Sequence, residues 1–299
     1  MKSRLLGFLH NTRWVPSDIP SPDTTKAKSK PKSRNPFASS SSTWSRDVVP
    51  LPTAPLDART HAQDQSIFFA KLPLELRTMV YEYLMGEGVV HLTMGSKKRF
   101  GHFVCEDELG GRECRCRVLV GGGKEGGRLD GGCAAVVRTC RRMYAEAVPH
   151  LYRSHAFSLL HSTHLLYLPT RIPQPRIETI RALRLRWAIR GLPQLRRGPS
   201  QRLAYREDTA NWERGWAIIA GMAGLRDLYV AIIDPSPQVI WERNWIELEQ
   251  QLLEPVKKVT APEWFELTLP FSGCRTDWDM GESKVVLRRP EGEEEEDDE

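Results

Sequence analysis

Residues 68–86 read FFAKLPLELRTMVYEYLMG, and the reading of this stretch decides the fold. Pro73 suits the first position of a helix, where its missing N–H costs nothing and its fixed φ is already helical. Leu72, Leu76, Val80 and Leu84 recur at helical spacing, with Met79 and Tyr83 beside them, which predicts one apolar stripe. Glu75, Arg77, Thr78 and Glu82 fall on the other side, and Gly86 is a stop signal. So short a helix is marginal alone and needs a partner for its stripe. On this register Leu76 is buried, and an aspartate there is expected to destabilise the fold.

The partner lies in residues 136–157, VVRTCRRMYAEAVPHLYRSHAF. Val136, Cys140, Met143, Tyr144, Ala147 and Val148 keep helical spacing, while Arg138, Arg141, Arg142 and Glu146 form the polar side. Arg142 and Glu146 make an i,i+4 pair, and Pro149 either kinks the helix or ends it near Val148. Cys140, on the stripe, reads as a small core residue.

The first stretch resembles the opening helix of an F-box, with its Leu-Pro start and Glu-x-Arg turn. The second resembles its closing helix, with Cys140-Arg141 and the Leu151-Tyr152 pair. Together the two segments resemble a large fungal family of F-box-like proteins that carry an uncharacterised domain, over residues 68–271. An ordinary F-box keeps these helices close together, whereas here residues 87–135 intervene. The resemblance implies that the helical unit docks the Skp-type adaptor of a cullin–RING ubiquitin ligase and that a following layer holds a protein substrate. It places Leu72, Pro73, Leu76 and Val80 at the adaptor surface. The same residues have a competing use, which is to cement the two helices together.

The chain has 299 residues with 40% hydrophobic content, enough for one or two domains. Its net charge is +5, yet residues 291–299 hold eight of the 38 acids, so the remainder is more basic still and favours acidic partners or surfaces. No secretory signal and no membrane-length apolar run is present, and the six cysteines are spread thinly. The expectation is an intracellular protein, nuclear or cytoplasmic, with reduced thiols and no membrane partner. Residues 1–66 are rich in Ser, Pro, Lys and Arg and are expected to be disordered. The alternating basic residues Lys26, Lys28, Lys30, Lys32 and Arg34 read equally as a nuclear import signal or a solvated linker.

In the insertion, residues 89–94 and 118–120 read as short strands and 121–132 as a glycine-rich surface loop. The GGGK within that loop lacks the spacing of a phosphate cradle. The insertion also carries His102, Cys105, Cys114, Cys116 and Cys133. Such a set suits tetrahedral zinc, but Cys114-x-Cys116 is the one close pair and the usual knuckle spacing is absent. The reading taken is unliganded loop thiols, with no metal and no cofactor.

After Phe157 the period changes. Residues 177–187 suggest a strand over their latter part, 211–224 a helix, 225–233 a strand, 241–258 a helix and 264–269 a further strand. Such alternation argues for parallel strands. It resembles the leucine-rich layers that often follow an F-box, although irregular unit lengths leave a compact α/β layer and a solenoid both open. The fold expected is α+β. Residues 1–66 form a disordered basic region, 67–170 an F-box-like helical unit with its insertion at 87–135, 171–272 a small parallel α/β recognition layer, and 273–299 a disordered acidic tail.

No GxSxG, HExxH, Walker or dinucleotide motif occurs, so the chain reads as no enzyme. His150, His155, His161 and His164 lack an acid or cysteine among them and read as ordinary surface histidines. Between Arg171 and Arg206 lie ten arginines and one acid, Glu178. Arg184, Arg186, Trp187 and Arg190 offer an alternative function, a nuclear nucleic-acid surface that tracks phosphates and stacks a base. The plainer reading is a strand edge guarded by charge. The main reading remains a non-enzymatic protein-interaction module.

Overall fold

The computed structural model describes residues 60–95, 99–105, 114, 116, 131–189, 191–195, 202–236 and 240–290. The expectations for the basic N-terminal run, residues 118–120, the loop before residue 131, Arg190 and residues 291–299 lie outside them.

Helices α1 (Ile67–Lys71) and α2 (Leu74–Met85) open the fold. Pro73 caps α2 instead of starting it. Gly86 closes the helix at φ +67, a left-handed value that a glycine adopts without steric cost. Strands β1 (Gly88–Met94) and β2 (Phe100–Val104) come next, then α3 (Gly131–Thr139) and α4 (Arg141–Ser154). The rest alternates through β3 (His155–Leu159), α5 (Ser162–Arg171), α6 (Gln174–Ile177), β4 (Ala182–Ala188) and α7 (Arg202–Ala220). It ends with β5 (Asp227–Ile233), α8 (Glu242–Leu253), a 3-10 turn at Val256–Lys258, β6 (Trp264–Thr268) and β7 (Val285–Arg288).

Among the described residues the strands form one sheet in the order β2-β1-β3-β4-β5-β6-β7. Only β2 is antiparallel, on β1; all other neighbours are parallel. The protein is therefore a mixed α/β fold with a mostly parallel sheet. Because β3 pairs with β4 across the expected boundary at residue 170, both segments contribute strands to the same sheet.

The strand register explains which face is core. Leu92, Leu159, Leu185, Val230, Leu267 and Leu287 lie side by side across six strands, all buried. A second apolar rung runs Val90, Phe157, Leu183, Leu228 and Phe265. Helices α5, α7 and α8 bury Leu165, Trp212, Trp216, Trp245 and Leu252 in the same cluster. Side chains of opposite parity, being period-two neighbours, point to the other face of the sheet.

Trp212 is the centre of this core. Its ring lies 4.6 Å from Trp187 and 5.6 Å from Trp216, and its Nε1 donates to the Leu252 carbonyl at 3.0 Å. Gly215 lets α7 approach the sheet, since a Cβ there would stand 2.5 Å from the Trp187 ring.

A smaller cluster joins α2, α3 and α4 through Tyr81, Met85, Cys133 and Ala147, with Phe68, Val136 and Met143 against it. Three sequence expectations are corrected here, and one alternative is decided. The long second helix is two, because Cys140 adopts an extended conformation and caps α4, its Sγ accepting from the Met143 N–H at 3.4 Å. Of the two alternatives for Pro149, ending the helix is the one that falls, since Pro149 sits inside α4. His150, His155 and His164 are buried, not surface, histidines. Finally, residues 273–290 belong to the fold: Cys274, Met280, Ser283 and Leu287 are buried and β7 extends the sheet.

Candidate functional site

Helix α2 settles which of its sides faces inward. Arg77, Tyr81 and Met85 are its buried residues, and they turn toward α4. The Arg77 guanidinium reaches Glu146 through Nε at 2.8 Å and Nη2 at 3.1 Å, while Nη1 donates to the Leu72 carbonyl at 2.6 Å. Tyr81 donates its hydroxyl to Glu146 at 2.8 Å, and Arg142 adds a third partner at 3.1 Å. Phe69 lies under both arginines, 5.5 Å from Arg77 and 4.5 Å from Arg142. Arg142 also donates to the Ala62 carbonyl.

The inferred apolar stripe therefore points the other way. Leu76 is 45% exposed, Met79 64% and Tyr83 87%, with Leu74 and Val80 exposed beside them. Pro73 is exposed and Leu72 half-buried. The expectation that Leu76 lies in the core is overturned, as is the alternative that Leu76 and Val80 cement the two helices. Ion pairing with a carboxylate far along the chain, Glu146, is what makes Arg77 the inward residue.

The sheet face opposite the core carries a polar rung: His91, Ser158, Arg184, Tyr229 and Glu266 lie opposite one another across β1, β3, β4, β5 and β6. Tyr229 and Thr268 share a hydrogen bond of 3.3 Å, and Arg288 pairs with Glu266 at 3.1 Å. Arg186, Trp264 and Arg288 are exposed on this face. The proposed arginine–tryptophan surface is not formed, because Trp187 points into the core between Trp212 and Trp216. Arg184 and Arg186 stand on the other side of β4 from it, so no base can stack on that ring beside them.

At the β1–β2 edge a second constellation appears. His91, Cys105, Cys114 and Cys116 bring their donor atoms within 4.8 Å of one another. Cys105 and Cys116 place their sulfurs 3.7 Å apart, and Cys114 Sγ lies 3.5 Å from His91 Nε2. Three of the five candidate ligands in the insertion, Cys105, Cys114 and Cys116, thus converge, but the imidazole is His91 and not His102. Cys133 is elsewhere, its thiol on the Leu84 carbonyl at 3.1 Å. The His91 signal was hidden because it is one apolar-flanked residue of a strand, 23 residues from Cys114.

Cys105 is anchored by its N–H on the Val89 carbonyl at 2.8 Å, and the His91 ring rests 4.6 Å from Phe103. Burial, with the Arg184 charge added, holds the imidazole near 4, so it is neutral around pH 7. Burial and the neighbouring Cys105 push Cys116 up to about 12, and burial also raises Cys114. No disulfide engages any of the six cysteines.

The fold and these sites define the class: a mixed α/β protein with a mostly parallel sheet, helices on its apolar face and a small helical cluster at its start. The chain belongs to the family described as Domain of unknown function (DUF7730), which matches residues 61–290. No curated protein and no solved structure matches it. Among the described residues no helix is long and apolar enough to cross a membrane.

Proposed function

We propose that this chain is a non-enzymatic protein-interaction module in which α2 docks the Skp-type adaptor of a cullin–RING ubiquitin ligase. The α/β layer that follows then holds a protein substrate. The observation that carries the reading is the outward stripe of α2. Leu76 and Val80, which the F-box resemblance places at an adaptor surface, are exposed together with Leu74, Met79 and Tyr83. An apolar helix face held outward while an arginine turns inward supports a docking role, since clustered exposed apolar side chains mark interaction surfaces. On the layer, the exposed Trp264, with Arg186 and Arg288 on the same sheet face, supports contact with a protein partner through an aromatic ring and charge.

The test is a binding measurement between the purified full chain and a Skp-type adaptor. A complex that survives moderate salt is expected, because an apolar contact is little screened. Leu76→Asp with Val80→Asp should abolish it while circular dichroism stays unchanged. Absence of any complex with the folded parent chain would sink the proposal.

A further inference from the structure

The geometry points to a structural zinc site formed by His91, Cys105, Cys114 and Cys116, independent of the docking role of α2. A tetrahedral zinc with Zn–S of about 2.3 Å and Zn–N of about 2.0–2.1 Å requires S···S edges of about 3.8 Å and S···N edges of about 3.6 Å. The Cys105–Cys116 separation of 3.7 Å and the Cys114–His91 separation of 3.5 Å match two opposite edges of that tetrahedron. All four donors lie within 4.8 Å, so the remaining edges close with small movements. A disulfide needs its sulfurs about 2.05 Å apart, so the Cys105–Cys116 contact is not one.

The donor chemistry selects the ion. Three thiolates and one neutral imidazole suit zinc, whereas calcium and magnesium demand oxygen ligands. Four protein donors leave no open position for water or substrate, which makes the site structural and not catalytic. Two ligands come from the paired strands β1 and β2, on or just beyond the sheet, and two from the segment between β2 and α3. One ion therefore fastens Cys114 and Cys116 to the edge of the sheet, where His91 begins the polar rung. His91 Nδ1 is buried without a hydrogen-bond partner, so packing against Phe103 and not a carboxylate sets the ring's orientation.

The test uses the full chain, purified reduced, with Zn²⁺ and Co²⁺ as probes. Elemental analysis should return about one zinc per chain, released when a mercurial reagent titrates the thiols. Co²⁺ added to metal-free protein should give the strong visible bands of a tetrahedral site and near-ultraviolet thiolate charge transfer. Cys116→Ser should weaken zinc binding by about tenfold or more, since even changes outside the ligand shell cost that much. Cys140→Ser should leave one zinc bound, because Cys140 caps α4 and a serine caps equally well. Failure of the folded parent chain to bind Zn²⁺ or Co²⁺ overturns the proposal. So does a Cys105–Cys116 disulfide in the reduced-purified protein, or unchanged binding by Cys116→Ser. If Cys116→Ser does not fold, the cobalt spectrum of the parent alone decides, and an octahedral spectrum without charge transfer rejects the site.

Discussion

Arg77 on α2 and Glu146 on α4 form a two-pronged ion pair, with Nε and Nη2 on separate carboxylate oxygens at 2.8 and 3.1 Å. Glu146 also accepts from Tyr81 and Arg142, so one carboxylate gathers three donors. Such forked charge-assisted bonds are stronger and more directional than neutral ones. Removing Glu146 leaves a buried guanidinium without its partner. Glu146→Ala is expected to lower stability by about 3 kcal/mol, the low end for a broken buried pair because Glu146 keeps some solvent. Chemical denaturation of the variant checks this, and a loss under about 0.5 kcal/mol would show the pair to be ornamental.

The orientation of α2 makes a paired prediction. Leu76→Asp should change stability by no more than about 0.5 kcal/mol, as exposed substitutions generally do. Met85→Asp, which buries a carboxylate in the small cluster, should cost several kcal/mol or melt the helices locally. Thermal melts of the two variants side by side settle the register. Equal losses would mean that both sides of α2 are covered.

The order of strands and helices after residue 157 was legible because each element declared itself locally. β4 alternates Leu183, Leu185 and Trp187 with arginines, β5 is a largely apolar run closed by Asp234-Pro235, and β6 alternates Phe265 and Leu267 with Glu266 and Thr268 ahead of Pro270. Elements fixed by distant partners were not legible. β2 is a short edge strand with no strong alternation, and β7 is only four residues long, with Leu287 buried and Val285 packed against the core. The inward side of α2 could not be read because both sides carry apolar residues. What turns Arg77 inward is Glu146, 69 residues away. The cysteines were legible as ligand types, but their convergence on His91 depends on β1 pairing with β2.

Gly224 locks the entry of β5 against that of β4. A Cβ there would stand 1.8 Å from the Glu178 carbonyl oxygen, and the Gly224 carbonyl accepts from Arg181 at 2.9 Å. The obstacle is backbone, which has no rotamer to yield. Gly224→Ala should therefore cost about 1–3 kcal/mol or more. Gly221→Ala, where the nearest atoms are at an ordinary 3.5 Å, serves as the near-neutral comparison. Denaturation midpoints of the two variants that coincide would refute the close approach.

The buried histidines predict acid sensitivity with a defined sign. His164 on α5 is 4% exposed, its Nδ1 has no partner, and Phe100 meets it edge-on at 6.3 Å. Burial lowers its pKa from 6.5 to about 4, against the opposing pull of the Leu92 carbonyl. Between these values the unfolded chain holds a proton that the folded chain refuses, so stability rises with pH across the window and falls on acidification below 6.5. The full shift corresponds to about 3 kcal/mol, complete once the pH is below the folded value. Burial lowers His150 and His155 as well, adding to the same slope. Glu146 acts lower on the scale. Burial raises its pKa, but the hydrogen bonds from Arg77, Tyr81 and Arg142 outweigh that and hold it below 4.5. Its contribution is present above 4.5 and is lost only as the pH drops through the depressed folded value. His164→Gln removes one titration and keeps a donor for Leu92. Compared with the parent chain, its melting temperature should decline less steeply from pH 6.5 to 4, with the curves parallel above 7. Parallel curves throughout would mean that His164 titrates as it does in water.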